Sequence, residues 1–287
     1  MYEAHFGLRE TPFAITPDPR FLFLTRSHRD ALAYLHYGIE ERKGFLVMTG
    51  EVGVGKTLVV RTLLGQLPDE VQTAIVMNAR LGFKQLLYLA LADFGLTPPG
   101  RSKVDLLLTL QEFLLRIRDR KGNAVIIIDE AQNLSEAALE DFRLLSNLEA
   151  SNSKLIQIVL VGQTELRGLL ERPTLRQLRQ RIPGIFDLSR LPVDAVREYV
   201  DFRVTVASEG RARALFDDEA MAEIGRRTAG TPRLINQVCD RALLIAYAKG
   251  ADRVVGSHVR EAAEELELAT LPSSPSAMLY RSFGSEA

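Results

Sequence analysis

The segment GEVGVGKT at residues 50–57 constrains this chain more than any other. It fits the pattern Gly-x-x-x-x-Gly-Lys-[Ser/Thr], and its flanks fit too. An apolar run, FLVMT (45–49), leads into it, and a helix-forming run from Thr57 to Leu67 leads out. A buried strand, a glycine-rich turn and a helix are the three parts of a phosphate cradle. Glycines let the backbone wrap closely with its amide hydrogens pointing inward. The helix then presents its positive N-terminal end to an anion. Nucleotide contacts are expected at Gly50, Val52, Gly53, Val54, Gly55, Lys56, Thr57 and Leu58. Lys56 should reach the β- and γ-phosphates of ATP, and Thr57 should ligate Mg²⁺.

The rest of the pattern suits such a motif. TAIVMN (73–78), AVIIID (124–129), LIQIVLV (155–161) and a weaker run over 184–188 read as further strands. Helical segments separate them: Phe83 to Phe94, a helix capped by Ser102 to about Arg120, and one capped by Ser135 to about Leu148. Continuous apolar strands alternating with helices predict an α/β fold with a parallel sheet covered on both faces. Ahead of it, residues 1–26 are rich in proline and aromatics and read as an ordered, irregular arm. Ser27 is expected to open a helix with Asp30 as capping partner, ended by Gly44. After Leu191 only helices are expected, over 192–209, 217–228, 231–248 and 257–268. The chain thus divides into a segment 1–44 packing on the nucleotide site, a sheet domain 45–191, a helical lid 192–268 and a Ser/Pro-rich flexible tail 269–287.

VIIIDE (125–130) delivers two acids at the end of a buried strand, where open α/β sheets place their ligands. Asp129 is expected to hold Mg²⁺ through water, and Glu130 to act as general base on the attacking water. Gln163, after VLVG, can orient that water or contact the γ-phosphate. Asn78, ending the second strand, can restrain Glu130. Among Arg172, Arg176, Arg179 and Arg181 one arginine is expected to enter a neighbouring subunit's site, a contribution worth roughly 10³–10⁵ in rate. Arg233, in GTPR (230–233), starts a helix and can report the γ-phosphate. The four histidines share no metal-ligand spacing, and His28 lies near a helix start.

Composition bounds the partners. Lys plus Arg count 36 against 37 for Asp plus Glu, so no global basic field draws in nucleic acid. The single cysteine, Cys239, permits no intrachain disulfide and fits a reducing compartment. No signal peptide is visible, and charges break every apolar run well short of the ~20 residues of a membrane helix. A cytoplasmic location follows as the expectation, without direct membrane insertion.

The order of features resembles AAA+ ATPases of the ExeA type, the general-secretion-pathway ATPases, and related ATPases encoded with exopolysaccharide systems. The resemblance runs over residues 1–268. It is carried by FGLRETPFAITPDPRFLF (6–23), the P-loop, IIIDEAQNLS (126–135), LLSNLEA (144–150), QIVLVGQTEL (157–166), LRQLRQRI (175–182) and GTPRLINQVCDRALLIAYA (230–248). It implies a sheet order 5-1-4-3-2 and ATP-dependent self-assembly into a ring or filament. It places Gly50, Gly53, Gly55, Lys56 and Thr57 in Walker A, Asp129 and Glu130 in Walker B, Gln163 at sensor 1 and Arg233 at sensor 2. It favours Arg181, then Arg179, as the trans-acting arginine, and Phe13 and His28 as contacts to the base. Relatives of this type usually continue into a membrane helix and a peptidoglycan-binding region. The sequence in hand stops at Ala287, which suggests a short soluble relative. The expected function is Mg-dependent ATP hydrolysis by a switch or assembly factor, partnered by a membrane-associated secretion or polysaccharide-export component. The alternative is an ATP-dependent DNA-binding regulator of the transposition or origin-recognition type.

Overall fold

Five strands, β1 (Phe45–Gly50), β2 (Val71–Val76), β3 (Asn123–Ile128), β4 (Gln157–Gly162) and β5 (Ile185–Leu188), form one sheet in the order β2-β3-β4-β1-β5. Every pairing is parallel. This is the expected order 5-1-4-3-2 read from the other edge. The computed structural model describes residues 1–77, 79–150, 153–211 and 214–268. The expected tail 269–287 and Asn78 lie outside the described residues.

The three central strands are fully buried and largely apolar because both faces of the sheet are covered, whereas the edge strands β2 and β5 carry the exposed Gln72 and Asp187. Alternate residues serve alternate layers. Leu46, Met48, Val125, Ile127, Val159 and Val161 pack with α1 (Arg26–Glu40) and α2 (Lys56–Gln66). Phe45, Val47, Ala74, Ile126, Ile128, Ile158 and Leu160 pack with α3 (Phe83–Asp93), α4 (Lys103–Asp119) and α5 (Glu136–Leu145). The first layer is tight: a Cβ on Gly38 of α1 would stand 2.2 Å from Leu46 Cδ2. Two short helices, α6 (Glu165–Leu170) and α7 (Arg176–Arg179), bridge β4 and β5. The Ser102 and Ser135 hydroxyls cap α4 and α5 by accepting the amide hydrogens of Asp105 and Ala138.

One cap differs from expectation. Helix α1 starts on Thr25, whose hydroxyl accepts from the His28 amide. Ser27, expected as the cap, instead accepts from the Ser189 amide at 3.1 Å. Its expected partner Asp30 pairs with Arg26 one turn away. Two hydroxyls two residues apart compete for one helix end, and a distant strand exit takes one of them.

The chain divides into two compact units, Pro17–Ser189 and a second made of Met1–Thr16 with the residues from Arg190 onward. The segment 1–44, read from sequence as one piece, is therefore shared between them at Thr16. The second unit contains α8 (Val196–Ala207), α9 (Asp218–Thr228), α10 (Pro232–Ala248) and α11 (Gly256–Glu265). Its N-terminal stretch is bound by chemistry the sequence does not advertise. The buried Arg203 of α8 donates to the carbonyls of Pro12 and Ala14. Phe13 meets Phe216 edge-on, and the Tyr2 hydroxyl donates to Asp240 of α10. Among the described residues no helix is long and apolar enough to cross a membrane.

Candidate nucleotide site

Parallel strands share one C-terminal edge, so residues that leave adjacent strands at the same level meet there. Thr49 of β1 is level with Gly162 of β4, and Ile128 of β3 with Leu160 of β4. The P-loop after β1, Asp129 and Glu130 after β3, and Gln163 after β4 are brought together by this register alone.

The loop itself requires its glycines. Gly53 and Gly55 have φ of +81° and +105°, in the half of backbone space that side chains disfavour. Gly50 is needed for another reason: a Cβ there would lie 2.7 Å from the Leu188 carbonyl oxygen of β5. Gly55 opens α2, whose first amides, from Lys56 to Leu58, have no intrahelical acceptor and face the loop end. Val52 is exposed, while Val54 belongs to the apolar core. Any contact Val54 makes with a nucleotide is thus through its backbone.

The Lys56 ammonium is folded onto the loop, donating to the carbonyls of Gly50 (2.9 Å) and Glu51 (2.8 Å). Burial pushes its pKa below the usual lysine range, while Glu130, Asp129, Glu165 and Glu51 pull the other way. Four carboxylates around one buried ammonium favour its charged form. Thr57 Oγ1 donates to Asp129 Oδ2 at 2.8 Å. The other oxygen of Asp129 accepts from the Glu130 amide at 2.9 Å, and Asp129 is 3% exposed. A hydroxyl and a carboxylate side by side are hard oxygen donors of the kind Mg²⁺ prefers.

Glu130 adopts a left-handed backbone, φ +55° and ψ +35°, at a cost of about 1–2 kcal/mol for a residue with a side chain. Its amide is held by Asp129 and its carbonyl accepts from Asn133. Its Oε2 accepts from the Gln132 side-chain amide at 2.5 Å and from Gln163 Nε2 at 3.3 Å. The residue sequence reasoning missed is Gln132. The only signal for it is an amide side chain two places after the acid pair, in a turn whose geometry the sequence does not specify.

His28 lies under the loop. Its Nε2 is 3.3 Å from the Val54 carbonyl and its Nδ1 is 2.6 Å from Thr25 Oγ1. A carbonyl can only accept, so Nε2 carries the hydrogen and Nδ1 accepts from the Thr25 hydroxyl. Both ring nitrogens are thus engaged within the fold, and burial pushes the His28 pKa below its ordinary value. Phe13, the other residue expected near a base, is enclosed within the second unit.

The arginines separate by surroundings. Arg172 pairs with Glu136. The Arg176 side chain is exposed and makes no hydrogen bond or ion pair among the described residues. Arg179 is exposed and donates to the Ile182 carbonyl. Arg181 is half-buried and reaches Ser146 Oγ at 3.3 Å. Arg233 is exposed in the first turn of α10, in the second unit, and its side chain has no hydrogen-bond partner among the described residues.

Comparison with known proteins agrees with this geometry. A family model described as an AAA domain matches residues 39–170. General secretion pathway protein A of Aeromonas hydrophila is 42% identical over 267 residues, which cover 93% of this chain and 48% of that protein. The RuvB subunit of the Holliday junction branch migration complex from Chlorobaculum tepidum is 33% identical over 162 residues, 52% of this chain and 44% of RuvB. The chain thus spans about half the length of these relatives. Among solved structures, the ORC2 protein of Aeropyrum pernix superposes with a TM-score of 0.67 at 19% identity, covering 92% of this chain and 73% of that one. Cdc6p of Pyrobaculum aerophilum gives 0.69 at 19% identity, covering 88% and 70%. At such identities these two matches show the fold alone. Sheet order, P-loop, the AAA-domain match over residues 39–170 and a similarity spanning 93% of this chain agree: the chain has the AAA+ P-loop fold and is similar to general secretion pathway protein A.

Proposed function

We propose that this chain hydrolyses ATP with Mg²⁺ and works as a self-assembling switch for an envelope secretion or polysaccharide-export machine. The observation that carries the hydrolytic part is the meeting of Lys56, Thr57, Asp129 and Glu130 on one sheet edge. Lys56 and the first amides of α2 would bind the phosphates. Thr57 and Asp129 would hold Mg²⁺, which supplies charge neutralisation on the phosphate oxygens when bound. Glu130 would take the proton of the attacking water, a role worth typically 10²–10⁴ in rate. Gln163, beside Glu130, would orient that water, and Arg233 would report the γ-phosphate. Arg181, or Arg179 after it, would be supplied in trans. Similarity to general secretion pathway protein A supports the secretion setting. The client would be a membrane-associated component, and the chain itself would act from the cytoplasm.

Two substitutions test the site. Lys56→Ala should abolish ATP binding. Glu130→Gln should bind ATP normally and lose turnover by at least about a hundredfold. Undiminished hydrolysis in Glu130→Gln would remove Glu130 as the base. The DNA-regulator alternative is tested by retention of the chain on duplex DNA at ~150 mM salt, where non-specific phosphate contacts are weakened. ATP-dependent retention there would favour it over the envelope reading.

A further inference from the structure

Between Glu130 and the end of β4 stands a side chain to which neither comparison nor motif gives a part. Gln132 lies in a single 3-10 turn, Ala131–Asn133. Its amide works at both ends. Nε2 donates to Glu130 Oε2 at 2.5 Å, and Oε1 accepts from the Gln163 backbone amide at 2.9 Å. The orientation of the amide is therefore set by its partners: a backbone N–H cannot accept and a carboxylate cannot donate. The Gln163 side chain donates to the same Oε2 at 3.3 Å. Both side-chain donors converge on one oxygen. Oε1 of Glu130 has no hydrogen-bond partner among the described residues.

A second observation bears on the same contact. Gly162, the last residue of β4, has an ordinary backbone and needs no glycine for its conformation. What it needs is space. A Cβ there would stand 2.8 Å from Gln132 Oε1, 3.0 Å from Leu166 Cδ2 and 3.1 Å from the Gln132 backbone nitrogen. The strand end is kept bare where Gln132 crosses it.

We propose that Gln132 is a positioning residue for Glu130. It ties the carboxylate to the end of β4, so that Glu130 and Gln163 move as one unit and a single carboxylate oxygen, Oε1, is presented to water. The left-handed backbone at Glu130 makes such a tie necessary. That conformation is held from one side by Asp129 and Asn133, and without Gln132 the side chain beyond it, with three rotatable bonds, would keep only the longer 3.3 Å bond from Gln163. This inference rests on the reading of Glu130 as the base.

The test is steady-state ATP hydrolysis by the full chain, with ATP affinity measured separately by a fluorescent nucleotide analogue. Gln132→Ala should lower kcat about ten- to a hundredfold, the penalty of a misplaced reacting group, with ATP affinity unchanged. In a Glu130→Gln background the same substitution should change residual turnover little, because the group it positions is already gone. Gly162→Ala should reproduce the kcat loss by crowding Gln132, and it serves if Gln132→Ala does not fold. Wild-type kcat in Gln132→Ala, or in Gly162→Ala where Gln132→Ala does not fold, overturns the proposal. So does a fall in ATP affinity that accounts for the lost rate, or a full further loss in the Glu130→Gln background. If Glu130→Gln itself turns over normally, the base reading falls and takes this inference with it. A dead Glu130→Gln beside a fully active Gln132→Ala overturns the inference alone.

Discussion

Acid should loosen the P-loop from beneath. His28 bonds the Val54 carbonyl through Nε2 and accepts from Thr25 through Nδ1, an arrangement that fits the neutral ring. A proton added at Nδ1 removes that acceptor and leaves a cation in a site only 4% exposed. Burial accordingly holds the folded pKa of His28 below its ordinary 6.5. The sign follows from linkage. Between the lower folded value and 6.5 the unfolded chain binds more protons than the folded one, so stability falls as pH falls through that window. One such group contributes a slope of at most about 1.4 kcal/mol per pH unit. At roughly 2–4 °C per kcal/mol for a chain near this size, that is at most about 3–6 °C of Tm per pH unit.

The assay is thermal unfolding of the full chain from pH 8 to pH 5, for the wild type and for His28→Gln. The variant carries an uncharged amide at all these values, so its curve should be flatter below pH 6.5. It should not be flat. His258 is also lowered, first by burial and then by Lys249, and it is common to both proteins. The lowered carboxyls of Glu3, Asp105, Glu136 and Glu140 start from ordinary values of 4.5 and 3.8. They act in a more acid window, equally in both. Parallel curves for the two proteins below pH 6.5 would refute the brace.

Two further outcomes follow from the site. Gly55→Ala must place a side chain at φ +105° with its Cβ 3.2 Å from His28 Nε2; it should cost at least about 1 kcal/mol of stability and weaken ATP binding, both read by thermal melts with and without nucleotide. Arg181→Ala should bind ATP and lose turnover, and mixing it with Lys56→Ala subunits should restore part of the rate, since the second subunit supplies the arginine and the first the intact pocket. Wild-type turnover by Arg181→Ala alone would move the trans-acting role to Arg179.

What was legible in the sequence was local or periodic. A phosphate cradle is eight consecutive residues, so GEVGVGKT carries it whole. The sheet was legible because strands covered on both faces must be apolar at every position, as VIII at 125–128 is. Ser102 and Ser135 were legible as caps because each acts within three residues of itself. The cap of α1 was not. Thr25 and Ser27 are chemically equivalent there, and the choice between them is made by the Ser189 amide 162 residues away. The union of Met1–Thr16 with the C-terminal helices was hidden for the same reason. Its principal anchor, Arg203, reads in sequence as one more charged helix residue, yet it is buried with its guanidinium on the Pro12 and Ala14 carbonyls.

The site divides along the same line. Lys56, Thr57, Asp129 and Glu130 could be singled out because each has a place in a short pattern. What they share in the structure is register, and register places groups only to the nearest residue. A carboxylate that must offer one oxygen to water needs finer placement, at the level of a single torsion. That placement comes from Gln132 and Gln163, two amides with no pattern between them, and from a backbone conformation at Glu130 that no propensity favours. Strain at Glu130 and the bare strand end at Gly162 are two parts of one arrangement: the first aims the side chain, and the second leaves room for the amide that holds it. A motif names the acid, and through-space contacts decide which of its oxygens is available.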